Sequence, residues 1–141
     1  MKFKKYFKIK RRGPQSIKFS KIYYGQYGLK AVESGILTPE IVNTAIKILK
    51  RIIKKKNFLI SYVNPNTGIT RKPRDVRMGR GKGTFAYNVT HVKAGKILFE
   101  IKNISEKLSL KALTISSLRL PIKTIIVKQY DNSTNSIKNH W

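Results

Sequence analysis

Ile41, Val42, Ala45, Ile46, Leu49, Ile52 and Ile53 recur at three- and four-residue spacing, which predicts one apolar stripe along a helix. Its start is legible in Thr38-Pro39-Glu40: a capping residue, a proline suited to the first helical position, and a carboxylate at the positive end. Lys47, Lys50, Arg51, Lys54, Lys55 and Lys56 fill the remaining face and the last turns. A second helix is expected from Ser105 to Leu120, with Leu108, Ala112, Ile115 and Leu118 as its stripe and Leu110 and Leu113 widening it; Pro121 stops it.

Strand patterns surround these helices. Aromatic and β-branched residues concentrate from Ile22 to Leu29, with bends at Gly25 and Gly28. Phe58 to Val63 reads as a strand closed by the turn signal Asn64-Pro65-Asn66-Thr67-Gly68. Phe85–Val92 and Lys96–Ile101 read as two strands joined at Lys93-Ala94-Gly95, hence a hairpin, and Ile122–Lys128 as a last strand. Residues 70–84 lack any core pattern. The sum is an α+β fold: a mostly antiparallel sheet with two amphipathic helices packed on it, an extended basic N-terminal arm and a long basic Gly/Arg loop. The divisions are an arm at 1–21, a domain at 22–130 and a polar tail at 131–141. There is no internal repeat.

Composition changes the picture by what it excludes. The 141 residues hold 31 Lys+Arg against 6 Asp+Glu, a formal charge of +25. Ile, Leu, Val and Phe fill 42 positions, well above the roughly one-fifth below which a highly charged chain stays unfolded. A folded core therefore coexists with a charge that repels itself and calls for a polyanionic partner. With no cysteine, disulfides, thiolate metal sites and a Cys nucleophile are ruled out. No apolar run approaches a membrane span, and the first residues do not read as a secretory signal. Lys, Ile and Asn fill 51 positions, pointing to an A+T-rich genome, organelle genomes included.

Catalytic parts are few. His91 and His140 are the only histidines, and Glu33, Glu40, Asp75, Glu100, Glu106 and Asp131 are scattered without helical pairing. No catalytic residue, metal site or cofactor is expected. Gly79-Arg80-Gly81-Lys82-Gly83-Thr84 fails the phosphate-loop spacing, because Gly83 separates Lys82 from Thr84. Asp75 is expected to steady neighbouring arginines, and His91 to be structural or to face RNA.

The chemistry lies in two basic segments. Residues 1–32 carry ten cations and no carboxylate. Lys2, Lys4, Lys5, Lys8, Lys10, Arg11, Arg12, Lys18 and Lys21 are the arm's candidates for phosphate contacts. Phe3, Tyr6, Phe7 and Phe19 between them either stack on unpaired bases or anchor the arm to its own domain. Between 70 and 83, Arg71, Lys72, Arg74, Arg77, Arg80 and Lys82 face one carboxylate, Asp75. Arginines give phosphate two parallel donors, and Gly79, Gly81 and Gly83 permit positive φ and close backbone approach. Read this way, the segment is a finger pushed into a crowded anionic site; read blandly, it is a solvated loop.

The chain resembles the universal large-subunit ribosomal protein sixteen family, in its bacterial and organellar form. The resemblance rests on Gly25-Gln26-Tyr27-Gly28-Leu29-Lys30-Ala31, Gly35-Ile36-Leu37-Thr38, Thr70-Arg71-Lys72-Pro73, Arg77-Met78-Gly79-Arg80-Gly81-Lys82-Gly83, Gly95-Lys96-Ile97-Leu98-Phe99-Glu100 and Leu120-Pro121-Ile122-Lys123-Thr124, in the family's order. Departures are Ala86-Tyr87-Asn88-Val89 in place of Glu-Tyr-Trp-Val, Ala94-Gly95 in place of Pro-Gly, and a longer tail. The resemblance implies a single-copy structural protein of the large subunit, lying on its rRNA beside neighbouring ribosomal proteins. It implies support for aminoacyl-tRNA at the A site, near the peptidyl transferase centre. Arg77, Met78, Gly79, Arg80, Gly81, Lys82 and Gly83 inherit that site by position; Arg71, Lys72 and Arg74 join the arm as rRNA contacts. A mitochondrial ribosome is the expected location, with bacterial cytoplasm or plastid as alternatives. The rival is a free cationic nucleic-acid-binding protein of the nucleoid type.

Overall fold

The computed structural model describes residues 21–54, 59–79 and 81–129. Two antiparallel sheets and two helices make up the α+β architecture. The first sheet contains β1 (Tyr27–Ala31), β3 (Leu59–Ser61), β6 (Ile97–Ile101) and β7 (Thr124–Lys128), in the order β3-β6-β1-β7. The second contains β2 (Gly35–Leu37), β4 (Thr67–Arg71) and β5 (Thr84–Val92), in the order β2-β5-β4. Helix α1 spans Pro39–Ile53 and helix α2 spans Glu106–Ser117. They pack on each other; α2 also lies on β1 and β7, while α1 reaches β3 and β5.

Helix α1 buries Val42, Ala45, Leu49 and Ile53, the stripe its spacing indicates. Thr38 stands at the cap with extended backbone, but its hydroxyl makes no capping bond; its carbonyl accepts from the Val42 N–H at 3.2 Å. In α2 the expected stripe is rotated. Ser109, Ala112, Leu113 and Ser116 are buried, whereas Leu110 and Leu118 are exposed. Ser109, Ala112 and Ser116 place small side chains on the buried face of α2, so size counts there beside hydropathy.

Strand β6 is buried along its whole length. Leu98, Phe99 and Ile101 join the core with Leu29, Leu49 and Leu113. A bulge in the β1–β6 ladder, where Leu29 faces Phe99 but Lys30 faces Ile97, leaves Leu98 unpaired across the strands and puts Ile97 outside that cluster.

Three sequence expectations change. The 85–92 and 96–101 strands exist, yet they do not form a hairpin. β5 pairs with β2 and β4, and β6 with β1 and β3. The turn between them is held by Gly95, whose N–H donates to Ala31 O at 2.7 Å and whose φ is +83°. That bond starts the chain along β1, which carries it out of one sheet and into the other. The strand expected from Ile22 begins only at Tyr27, since the N–H groups of residues 23–25 bind a side chain instead of a ladder. Finally, Thr67–Arg71 is a strand, so the irregular segment runs from 72 to 83.

Candidate nucleic-acid interface

Strands β4 and β5 form a ribbon that leaves the body of the domain. On β5, Val89, Thr90 and Val92 are buried, whereas Thr84, Phe85, Ala86 and Tyr87 are all exposed. The loop 72–83 closes the ribbon. Its two ends meet backbone to backbone: a Cβ added at Gly83 would stand 2.6 Å from the Arg71 carbonyl. Gly79 and Gly81 have φ of +96° and +79° with open space around them, so conformation requires glycine there and crowding does not. The Lys72 ammonium donates to the Gly79 carbonyl, and the Val76 N–H donates to Pro73 O at 3.5 Å. These are the loop's own ties.

Arg71, Arg74, Arg77 and Lys82 are exposed, as is Asp75; Lys72 is half-buried, and Met78 is 99% exposed. Among the described residues the ion pairs are Lys123–Glu33 (3.2 Å) and Lys128–Glu106 (3.6 Å), both at the surface and away from this loop. Asp75 therefore steadies no arginine among the described residues. The fold thus gathers Arg71, Lys72, Arg74, Arg77 and Lys82 with Met78, Gly79, Gly81 and Gly83 at one end of the second sheet, where no described carboxylate pairs with the cations. Arg80 lies outside the described residues, as do Lys2, Lys4, Lys5, Lys8, Lys10, Arg11, Arg12, Lys18 and the tail. Lys21 is exposed at the start of the described chain.

One buried carboxylate has a role that the sequence pattern does not announce. Glu100 is fully buried, and its carboxylate accepts from the N–H groups of Tyr23 (3.1 Å), Tyr24 (3.0 Å) and Gly25 (2.9 Å). A Cβ on Gly25 would stand 2.9 Å from Glu100 Cβ and 2.8 Å from Ile101 O, so the segment crosses the sheet face as bare backbone. Glu100 thereby anchors residues 23–25, just ahead of β1. A lone carboxylate inside Ile97-Leu98-Phe99-Glu100-Ile101 was the available signal, because a buried charge must be satisfied. Burial, and then the Glu100 charge, push the Tyr62 hydroxyl up to about 12. His91 is half-buried in β5, opposite Ile36, with its Nδ1 buried and unpartnered. Among the described residues no three His, Asp or Glu side chains converge as a metal site would require, and no helix is long and apolar enough to cross a membrane.

Fold and loop together define a class: a small α+β domain that, among the described residues, satisfies its one fully buried charged group internally and leaves the cations at the end of the ribbon without carboxylate partners. The model of the ribosomal protein L16p/L10e family matches residues 1–127. Among similar proteins, the large ribosomal subunit protein uL16m of Acanthamoeba castellanii is 52% identical over 141 residues, the whole of both chains. The uL16 of Buchnera aphidicola subsp. Cinara cedri is 41% identical over 91% of this chain and 93% of its own. That of Psychrobacter cryohalolentis is 43% identical over 78% of this chain and 80% of its own. The chain belongs to the L16p/L10e ribosomal protein family. It is a structural protein of the large ribosomal subunit and not an enzyme. The match along its full length to a mitochondrial member agrees with a mitochondrial ribosome, and the bacterial matches with the alternative location.

Proposed function

We propose that this chain binds large-subunit rRNA through its basic arm and the 72–83 loop, and that the loop supports aminoacyl-tRNA placement near the peptidyl transferase centre. One copy serves each subunit, beside neighbouring ribosomal proteins. The observation that carries this reading is the uncompensated end of the ribbon: Arg71 of β4 and the loop's Lys72, Arg74, Arg77 and Lys82 stand against one carboxylate, Asp75, and none of them joins an ion pair among the described residues. A charge so arranged is neutralised by a partner's phosphates. Gly79 and Gly81, held at positive φ, shape the tip without side chains, so a nucleic-acid backbone can come close.

Two measurements test the reading. Binding of the full chain to a large-subunit rRNA fragment should weaken steeply with salt, by about 0.7–0.9 in log affinity per log unit of salt for each phosphate neutralised. A flat response would oppose it, and equally tight binding to duplex DNA would favour the free cationic protein. Ribosomes carrying both Arg77→Ala and Arg80→Ala should sediment with the protein in place but accommodate tRNA poorly. Normal accommodation would remove the loop from the tRNA site.

A further inference from the structure

The two exposed rings of β5 play no part in the phosphate account. Phe85 and Tyr87 are 40% and 46% exposed, in the stretch where the ribbon has left the core. On a regular strand they would share a face, being two residues apart. The β4–β5 ladder breaks that rule: Ile69 faces Tyr87, but the next residue, Thr70, faces Phe85, so Ala86 is the extra residue of a bulge. Since Ile69 and Thr70 point to opposite sides, Tyr87 and Phe85 do as well. The ribbon carries one exposed ring on each face, and a single surface of its own domain could not cover both.

We propose that Phe85 and Tyr87 are stacking platforms for unpaired nucleobases, one on each side of the ribbon; this rests on the RNA-binding reading above. Charge complementarity selects the occupant. Arg71 pairs with Thr84 across the ladder directly beside Phe85, and Lys72, Arg74, Arg77 and Lys82 extend the cationic end. An apolar protein partner would have to desolvate these cations, whereas a nucleic-acid strand supplies phosphates for them and bases for the rings. Every base offers a π-face, so such contacts suit irregular single-stranded segments rather than paired helices.

The test uses the full chain, an oligoadenylate of about 12 nucleotides and an RNA duplex of equal length at fixed salt. Phe85→Ala and Tyr87→Ala should each weaken single-strand binding by about 5- to 150-fold and leave duplex binding and the salt slope unchanged. Because the rings lie on opposite faces, the double variant should multiply the two losses. Tyr87→Phe should bind like the parent protein. Tyr87→Leu and Phe85→Leu keep apolar bulk, so their losses report stacking even where alanine disturbs the ribbon. Unchanged single-strand affinity in these variants overturns the proposal, as does an equal loss on duplex or a Tyr87→Phe as weak as Tyr87→Ala. Variants that bind RNA normally yet fail to join large subunits would assign the rings to a neighbouring protein and likewise overturn it. A parent chain whose RNA binding ignores salt would instead refute the broader reading.

Discussion

The face of the first sheet that carries Glu100 and the free end of the β4–β5 ribbon handle charge in opposite ways. Glu100, with no exposure, receives three backbone N–H groups at 2.9–3.1 Å and ties residues 23–25 across the sheet. At the ribbon end, Arg71, Arg74, Arg77 and Lys82 are exposed, and no ion pair includes them among the described residues. The first charge is solved within the chain and so contributes to folding. On the proposed function, the second set is left for a partner and contributes to binding. The proposed function therefore places stability and recognition on different residues, and substitutions in the two regions should have different readouts.

The largest effect is expected at Glu100. Glu100→Ala leaves three backbone donors without their acceptor and empties a buried site, and should cost about 3–5 kcal/mol in urea unfolding. A loss under 1 kcal/mol would mean that the contact is incidental. Next come two glycines of one loop. Gly83→Ala drives a methyl into the Arg71 carbonyl at 2.6 Å and should lower stability by about 1–3 kcal/mol. Gly79→Ala meets only the strain of φ +96°, about 1–2 kcal/mol, taken up locally in the loop. The thermal midpoint should therefore fall more for Gly83→Ala; the reverse order would contradict the backbone closure at the ribbon's end.

Arg77→Ala or Lys82→Ala should shift unfolding by no more than about 0.5 kcal/mol. Each should still reduce the salt slope of RNA binding by about 0.7–0.9. Matching losses of stability and affinity would erase the contrast between the regions. An effect seen only in alkali concerns Tyr62, whose hydroxyl is raised from 10 to about 12. The folded chain holds this proton more tightly than the unfolded one, so the associated stability is whole below pH 10 and is lost as pH rises through about 12. Subtracting the alkaline unfolding profile of Tyr62→Phe from that of the parent should leave a decline confined to that window.

How far the sequence revealed all this depended on the range of the forces involved. Helix α1 was legible because its stripe and its Thr38-Pro39-Glu40 start are local. The extents of β5 and β6 were legible too, by β-branched and aromatic content, but their partners were not. Pairing is decided by contacts distant in sequence, such as Gly95 to Ala31. Strand β4 escaped notice because Thr67-Gly68-Ile69-Thr70-Arg71 holds one large apolar residue and gains its ladder only from β5. The buried face of α2 is not legible from hydropathy because it includes the small polar residues Ser109 and Ser116 while Leu110 and Leu118 are exposed. The loop's cations stood out by composition, since charge without local compensation is visible in one dimension. The exposure of Phe85 and Tyr87 was not, because it follows from where the ribbon parts from the core and from the bulge at Ala86.

The most direct test replaces Arg71, Lys72, Arg74, Arg77, Arg80 and Lys82 together by alanine in the full chain. The slope of log affinity against log salt is then measured on a large-subunit rRNA fragment, beside the urea midpoint. A slope shallower by about 4–5 with the midpoint held is the predicted result. An unchanged slope accompanied by a collapsed midpoint would mean that these cations hold the fold together instead of reaching for RNA.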